Sequence, residues 1–154
     1  MILIAHRGNT KGPEPTKENN PEYIESAIEA GYDVEIDVRL HAGGFYLGHD
    51  KPQYEVLPDW LLKHKDNLWC HAKDLKTFSV LLDLKMHTFM HDKDPAALTS
   101  KHYLWTNPGE RLVPNSIAVM PETKTWYDFI QRFNYVGLCS DYVEDYNEWR
   151  YMGS

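Results

Sequence analysis

The sequence is short of cysteine, of basic clusters and of long apolar runs, and each shortage excludes something. Only two of its 154 residues are cysteine, Cys70 and Cys139. They sit inside predicted strands and have no metal-type spacing, which points to reduced core thiols in a cytoplasmic protein. Lys and Arg number 16 against 23 Asp and Glu, a formal charge of −7, with no run of basic residues. A nucleic-acid backbone or an anionic membrane as main partner would need a basic face, so no nucleic-acid partner is expected. No apolar stretch approaches the roughly 18 residues of a membrane span, and Met1-Ile2-Leu3-Ile4-Ala5 is too short for a signal peptide. Internal repeats, low-complexity tracts and linkers are missing too. At 42% hydrophobic and 25% charged residues, the chain reads as one globular domain over residues 1–154.

The most informative stretch is Tyr32 to Leu40. Val34, Ile36 and Val38 alternate with Glu35, Asp37 and Arg39, as in a half-buried strand. Adjacent carboxylates on one strand face repel each other, so their simplest setting is the solvent side of an edge strand. Around this stretch, Ile2 to Ala5 reads as a strand ending at His6-Arg7-Gly8, and Asn9 to Asn20 as an exposed loop. Asn20-Pro21-Glu22 is a helix start, and Gly31 is the stop. Gly43-Gly44 turns the chain into a hairpin strand, Phe45 to Gly48, which runs into His49-Asp50. Further strands are predicted at Leu68–Lys73, Met86–His91, His102–Thr106, Ile117–Met120 and Tyr135–Ser140. Helices are predicted at Pro58–His64, Leu75–Leu84 and Thr125–Phe133, with about one helical turn at Pro95–Leu98. Strands alternating with helices imply a parallel sheet. The expectation is an α/β fold, a reduced β/α (TIM-like) barrel with outer helices shortened or missing, since a complete barrel takes about 250 residues. A doubly wound sheet is the alternative, but no glycine-rich phosphate loop follows the first strand.

In such a barrel the chemistry lies at the C-terminal strand ends. His6-Arg7, Glu35 and Asp37, His49-Asp50, His71 and Lys73, His91 and Asp141 all fall there. Two carboxylates on one strand face suit a hard divalent cation, Mg²⁺ or Ca²⁺, which cancels their repulsion. Two histidines can divide acid and base work in a phosphoryl transfer, and Arg7 and Lys73 would add positive charge for phosphate oxygens.

His6-Arg7-Gly8, Glu18-Asn19-Asn20-Pro21, Val34-Glu35-Ile36-Asp37-Val38-Arg39, Gly44 and His49-Asp50 together resemble the glycerophosphodiester phosphodiesterase family. That family is one of the phosphatidylinositol-phospholipase-C-like barrels. Val136 to Tyr142 resembles its closing strand. The resemblance implies a barrel with a metal on Glu35 and Asp37, His6 and His49 as the acid/base pair, and Arg7 on phosphate. Lys73 matches the family's E-x-K, where His71 replaces the acidic metal ligand; a neutral imidazole there could still ligate. The segment that follows H-D in the family is largely missing. The expected activity is metal-dependent cleavage of a small-molecule or lipid-headgroup phosphodiester, to an open or a cyclic product. The alternatives are a phosphate-ligand-binding module without turnover and, more blandly, a structural protein.

Overall fold

A computed structural model describes residues 1–124 and 132–152. Its strands are β1 (Ile2–His6), β2 (Asp33–His41), β3 (Gly44–Leu47), β4 (Tyr54–Val56), β5 (Leu68–Ala72), β6 (Thr88–Phe89), β7 (Ala96–Leu98), β8 (Leu104–Thr106), β9 (Ser116–Val119) and β10 (Gly137–Ser140). Its α-helices are α1 (Pro21–Glu29), α2 (Pro58–Lys63), α3 (Leu75–Asp83) and α4 (Val143–Met152). Asn20 caps α1 by accepting from Glu22 N at 2.9 Å, and Asp74 caps α3 by accepting from Thr77 N at 2.8 Å; each satisfies a backbone donor that the first helical turn leaves free. Gly31, with φ +98°, takes the left-handed position that lets the chain leave α1 and enter β2. The helix predicted at Thr125–Phe133 lies for the most part outside the described residues.

β2 is the centre of the sheet. β1 pairs with its first half in parallel, β3 with its last residues in antiparallel, and β5 runs parallel to it from Val34 to Val38. The parallel array reads β8-β9-β10-β1-β2-β5-β6, flanked by antiparallel β3, β4 and β7. The expected TIM-like barrel is therefore not what forms. A β/α barrel closes a ring of parallel strands, whereas among the described residues β6 pairs with β5 alone, and β8 carries antiparallel β7 beside β9. The result is a mixed sheet curled into a half-barrel with few helices. The cause lies after β6. A parallel crossover usually runs through a helix, but here the stretch between β6 and β8 makes a strand, β7, which returns as a hairpin into β8. Pro95–Leu98 is thus mainly β7 rather than a helical turn. β4 and α4 are further elements, in stretches where none is predicted.

Strand alternation sorts side chains onto two faces. Val34, Ile36 and Val38 join Ile24, Ala27, Leu61, Leu81, Val143 and Tyr146 in the layer between sheet and helices, each large apolar side chain contributing about 1.5–3 kcal/mol by leaving water. Ile4, Trp69, Phe89, Trp105, Ile117 and Cys139 form a second cluster on the concave face. There the two wings of the sheet meet: the Trp69 and Trp105 ring centroids are 5.9 Å apart, and those of Phe89 and Trp105 are 4.5 Å apart. Cys70 and Cys139 are free and buried. No helix of the described residues is long and apolar enough to cross a membrane.

His87 belongs to this inner packing. It is 3% exposed, its ring centroid lies 4.0 Å from that of Trp69, and its Nε2 is 2.7 Å from Thr99 Oγ1. Burial, helped by the Lys101 charge, pushes its pKa down to about 4 from an ordinary 6.5. The unfolded chain therefore binds a proton at this site that the folded chain refuses. Its contribution to stability is complete above pH 6.5 and is lost as pH falls toward about 4. Urea melts at pH 7 and pH 4.5 should show a lower midpoint at the acid end. A His87→Gln variant should show a smaller drop, the difference between the two isolating His87.

Candidate active site

Strand register assembles the site. In parallel ladders His6 stands opposite Glu35, Asp37 opposite His71, and His71 opposite Phe89. Ala5 stands opposite Ser140, so Asp141, one residue beyond, reaches His6. The side chains of His6, Glu35, Asp37, His71 and Asp141 share the concave face, above the aromatic floor. Arg7, at φ +56°, adopts a left-handed backbone that costs a non-glycine residue roughly 1–2 kcal/mol. It is held there by Arg7 N donating to Glu35 O at 2.9 Å and by Asn19 N donating to Arg7 O at 3.1 Å.

Asp37 is the hub. It is 1% exposed, with Asn19 Nδ2 at 2.9 Å and Arg7 Nε at 3.2 Å from Oδ2, and His71 Nδ1 at 3.3 Å and Lys73 Nζ at 3.7 Å from Oδ1. Burial alone would raise its pKa, but His71, the Arg7 charge and Asn19 outweigh it and hold the carboxyl well below the usual range. Glu35, 3% exposed, makes a long contact of 3.9 Å to His6 Nε2, and its Oε1 has no hydrogen-bond partner among the described residues. Burial, then the Asp37 charge, pushes its pKa up to about 7. The edge-strand explanation of these acids fails, because β2 is buried on both faces.

His6 Nδ1 lies 2.8 Å from Asp141 Oδ1. Asp141 is held below the ordinary carboxylate range, His6 and Asn9 outweighing its burial, so as an anion it accepts and Nδ1 donates. Burial lowers the His6 pKa, but the Asp141 hydrogen bond and the Glu35 charge more than offset it, and the net shift is upward. His49 stands apart from this network. Its side chain is 46% exposed, its Nδ1 is 2.7 Å from Asp50 Oδ1, and it shares with Arg7, Asn19 and Lys51 a polar cleft of about 190 Å³. A wider hollow of about 520 Å³ opens beside β9 between Asn107 and Leu112, with no histidine among its described lining residues.

The site thus joins His6, Arg7, Glu35, Asp37, His71 and Lys73 in one cluster, with His49 on its rim; His91 instead bonds Asp94 O in a loop. Sequence reasoning missed Asn9 and Asn19. Both lie in the segment read as an exposed loop, yet they are 0% and 2% exposed. Asn19 also accepts from Asp37 N at 3.0 Å, and Asn9 Nδ2 donates to Asp141 at 2.9 Å. The Glu18-Asn19 pair was visible as a motif; its role as the brace of Asp37 and, through Glu18 Oε1 at 3.1 Å, of Arg7 was not.

Comparison with family models, with curated proteins and with solved structures found no match to this chain. The chemistry must be read from the side chains. Glu35 Oε1 and Asp37 Oδ1 are buried oxygens without a hydrogen-bond partner. Glu18, Glu35, Asp37 and Asp141 face two fixed cations, Arg7 and Lys73. Asp37 Oδ1 has only the looser contacts to His71 and Lys73, and Glu35 Oε1 has no hydrogen-bond partner among the described residues, so these two oxygens could serve a divalent cation. Among the described residues no three His, Cys, Asp or Glu side chains are gathered to hold a metal; Glu35 and Asp37 are the carboxylates that could offer oxygens to an ion such as Mg²⁺, which keeps several waters. His71, stacked on Phe89 with 8° between ring planes, reaches toward Asp37.

Proposed function

We propose that this chain is a phosphoric diester hydrolase, glycerophosphodiester phosphodiesterase-like in its chemistry, acting on a small-molecule or lipid-headgroup phosphodiester in a cytoplasmic setting. The observation that carries the reading is the pairing of an Asp141-oriented His6 with two buried, incompletely satisfied carboxylates at the same strand ends. A divalent cation, Mg²⁺ or Ca²⁺, held by Glu35 and Asp37 would bind a phosphoryl oxygen and stabilise developing negative charge. His71 and Asn19 orient the Asp37 carboxylate. His6 and His49 exchange the protons: one takes a proton from the attacking water or substrate hydroxyl, and the other gives one to the departing alkoxide. Attack by a substrate hydroxyl would leave a cyclic phosphate. Arg7 and Lys73 supply positive charge to the phosphate.

One observation favours a second reading, ligand retention without turnover. The guanidinium of Arg7 is already engaged by Glu18 and Asp37, which leaves less of it for a phosphate. An assay on bis(p-nitrophenyl) phosphate separates the two. Turnover is expected with Mg²⁺ or Ca²⁺, lost with EDTA and restored by excess cation. No release of nitrophenol and no cleavage of a hydroxyl-bearing glycerophosphodiester under any cation, with calorimetric binding of a phosphate ester, would replace hydrolysis by retention.

A further inference from the structure

Arg39 follows Glu35 and Asp37 on the inner side of the β2 alternation, and the proposed mechanism gives it no task. Its guanidinium does not turn toward Glu35 or Asp37. Nε donates to Gly48 O at 2.9 Å, and a terminal nitrogen donates to His49 O. Two donors of one planar group thus grip two successive carbonyls of the loop that carries His49. Arg is suited to this because its donors form a rigid fork, whereas a Lys ammonium is a single point.

The loop itself is tight. Gly48 N donates to Asp37 O at 3.1 Å, and Gln53 N to Leu47 O at 3.0 Å. A Cβ at Gly48 would stand 2.0 Å from Lys51 O, so no other residue fits without moving the turn. Past Gly48 the side chains of His49 and Asp50 are exposed, and the fork of Arg39 is what ties this projecting part of the loop back to the site strand. We infer that Arg39 is a positioning residue for His49, fixing the backbone from which the imidazole reaches the cleft it shares with Arg7. This rests on the acid/base role proposed for His49.

The inference makes the effect of Arg39 travel through His49 alone. Arg39→Ala should lower kcat on a glycerophosphodiester, whose alkoxide leaving group needs a proton, by about 100-fold, the scale of a misplacement of about 1 Å, with KM within about twofold. Arg39→Lys, which reaches one carbonyl, should fall between Arg39→Ala and the native chain, and it serves as the readout should the alanine variant not fold. In a His49→Ala background, Arg39→Ala should cost almost nothing more, because residues acting as a unit are not additive. Full kcat in Arg39→Ala, a loss confined to KM, or an equal loss with and without His49 would overturn the positioning role. Full activity in His49→Ala alone is a different result, and it would remove the acid/base assignment on which the inference stands.

Discussion

Replacing His6 by alanine is expected to lower kcat on a phosphodiester by about 10²–10⁴-fold, the range of a positioned general acid or base. The fold should survive, because His6 ends β1 with its side chain 18% exposed and Asp141 keeps its bond from Asn9. A thermal melt checks this. Added imidazole should restore part of the lost rate by occupying the vacated space, which a merely structural histidine would not allow. Asp141→Asn should produce a smaller loss of the same kind, since the amide oxygen can still accept from Nδ1 but brings no negative charge to stabilise the imidazolium. The pH profile adds a second check. Asp141 and Glu35 raise the His6 pKa despite its burial, so the limb belonging to His6 should lie above the ordinary imidazole range. Removing the Asp141 charge should move it down. Full activity in His6→Ala would end the acid/base reading.

The sequence exposes the parts of this molecule that depend on local pattern. The period-two alternation of Val34 to Arg39 sets Glu35 and Asp37 on one face, and the Asn20-Pro21 start and Gly31 stop delimit α1. What stayed hidden depends on distant pairings. Alternation cannot distinguish a solvent face from the inside of a curled sheet, so the burial of Glu35 and Asp37 was legible only through their company of histidines. Asn9 and Asn19 look like loop residues because a buried amide differs from an exposed one only in its partners. Pro95 suggests a helical turn, but pairing of Ala96–Leu98 with β8 overrides that local preference. Closure of a ring is the least local property of all. It fails here because β6 has two residues and the chain beyond it returns as a hairpin instead of crossing over.

The two carboxylates at the centre should respond in opposite ways when neutralised. Asp37→Asn is expected to destabilise the protein by about 3–5 kcal/mol, the cost of leaving the other half of a buried ion pair unbalanced. Arg7 would lose the carboxylate at its Nε and Lys73 the one at its Nζ, while the backbone brace of Asn19 would remain. The folded Asp37 is held below its ordinary 3.8, so its contribution is present above that pH and lost as pH falls below it. Glu35 has the reverse sign. Its folded pKa of about 7 exceeds the ordinary 4.5, so the folded state binds the extra proton between those values. Its ionisation erodes stability as pH rises through that window, most fully above about 7. Glu35→Gln removes the charge while keeping the shape. Urea unfolding at pH 8 in EDTA should therefore find Glu35→Gln more stable than the native chain and Asp37→Asn less stable. Adding Mg²⁺ should raise the native midpoint, because a ligand bound only by the folded state stabilises it, and should leave Glu35→Gln almost unmoved. Equal losses in both variants, with no response of the native chain to Mg²⁺ or Ca²⁺, would show that Glu35 is not held uncompensated for a cation. In the expected case, the instability carried by Glu35 in the bare protein and the cation's grip on it are one electrostatic fact, measured from two sides.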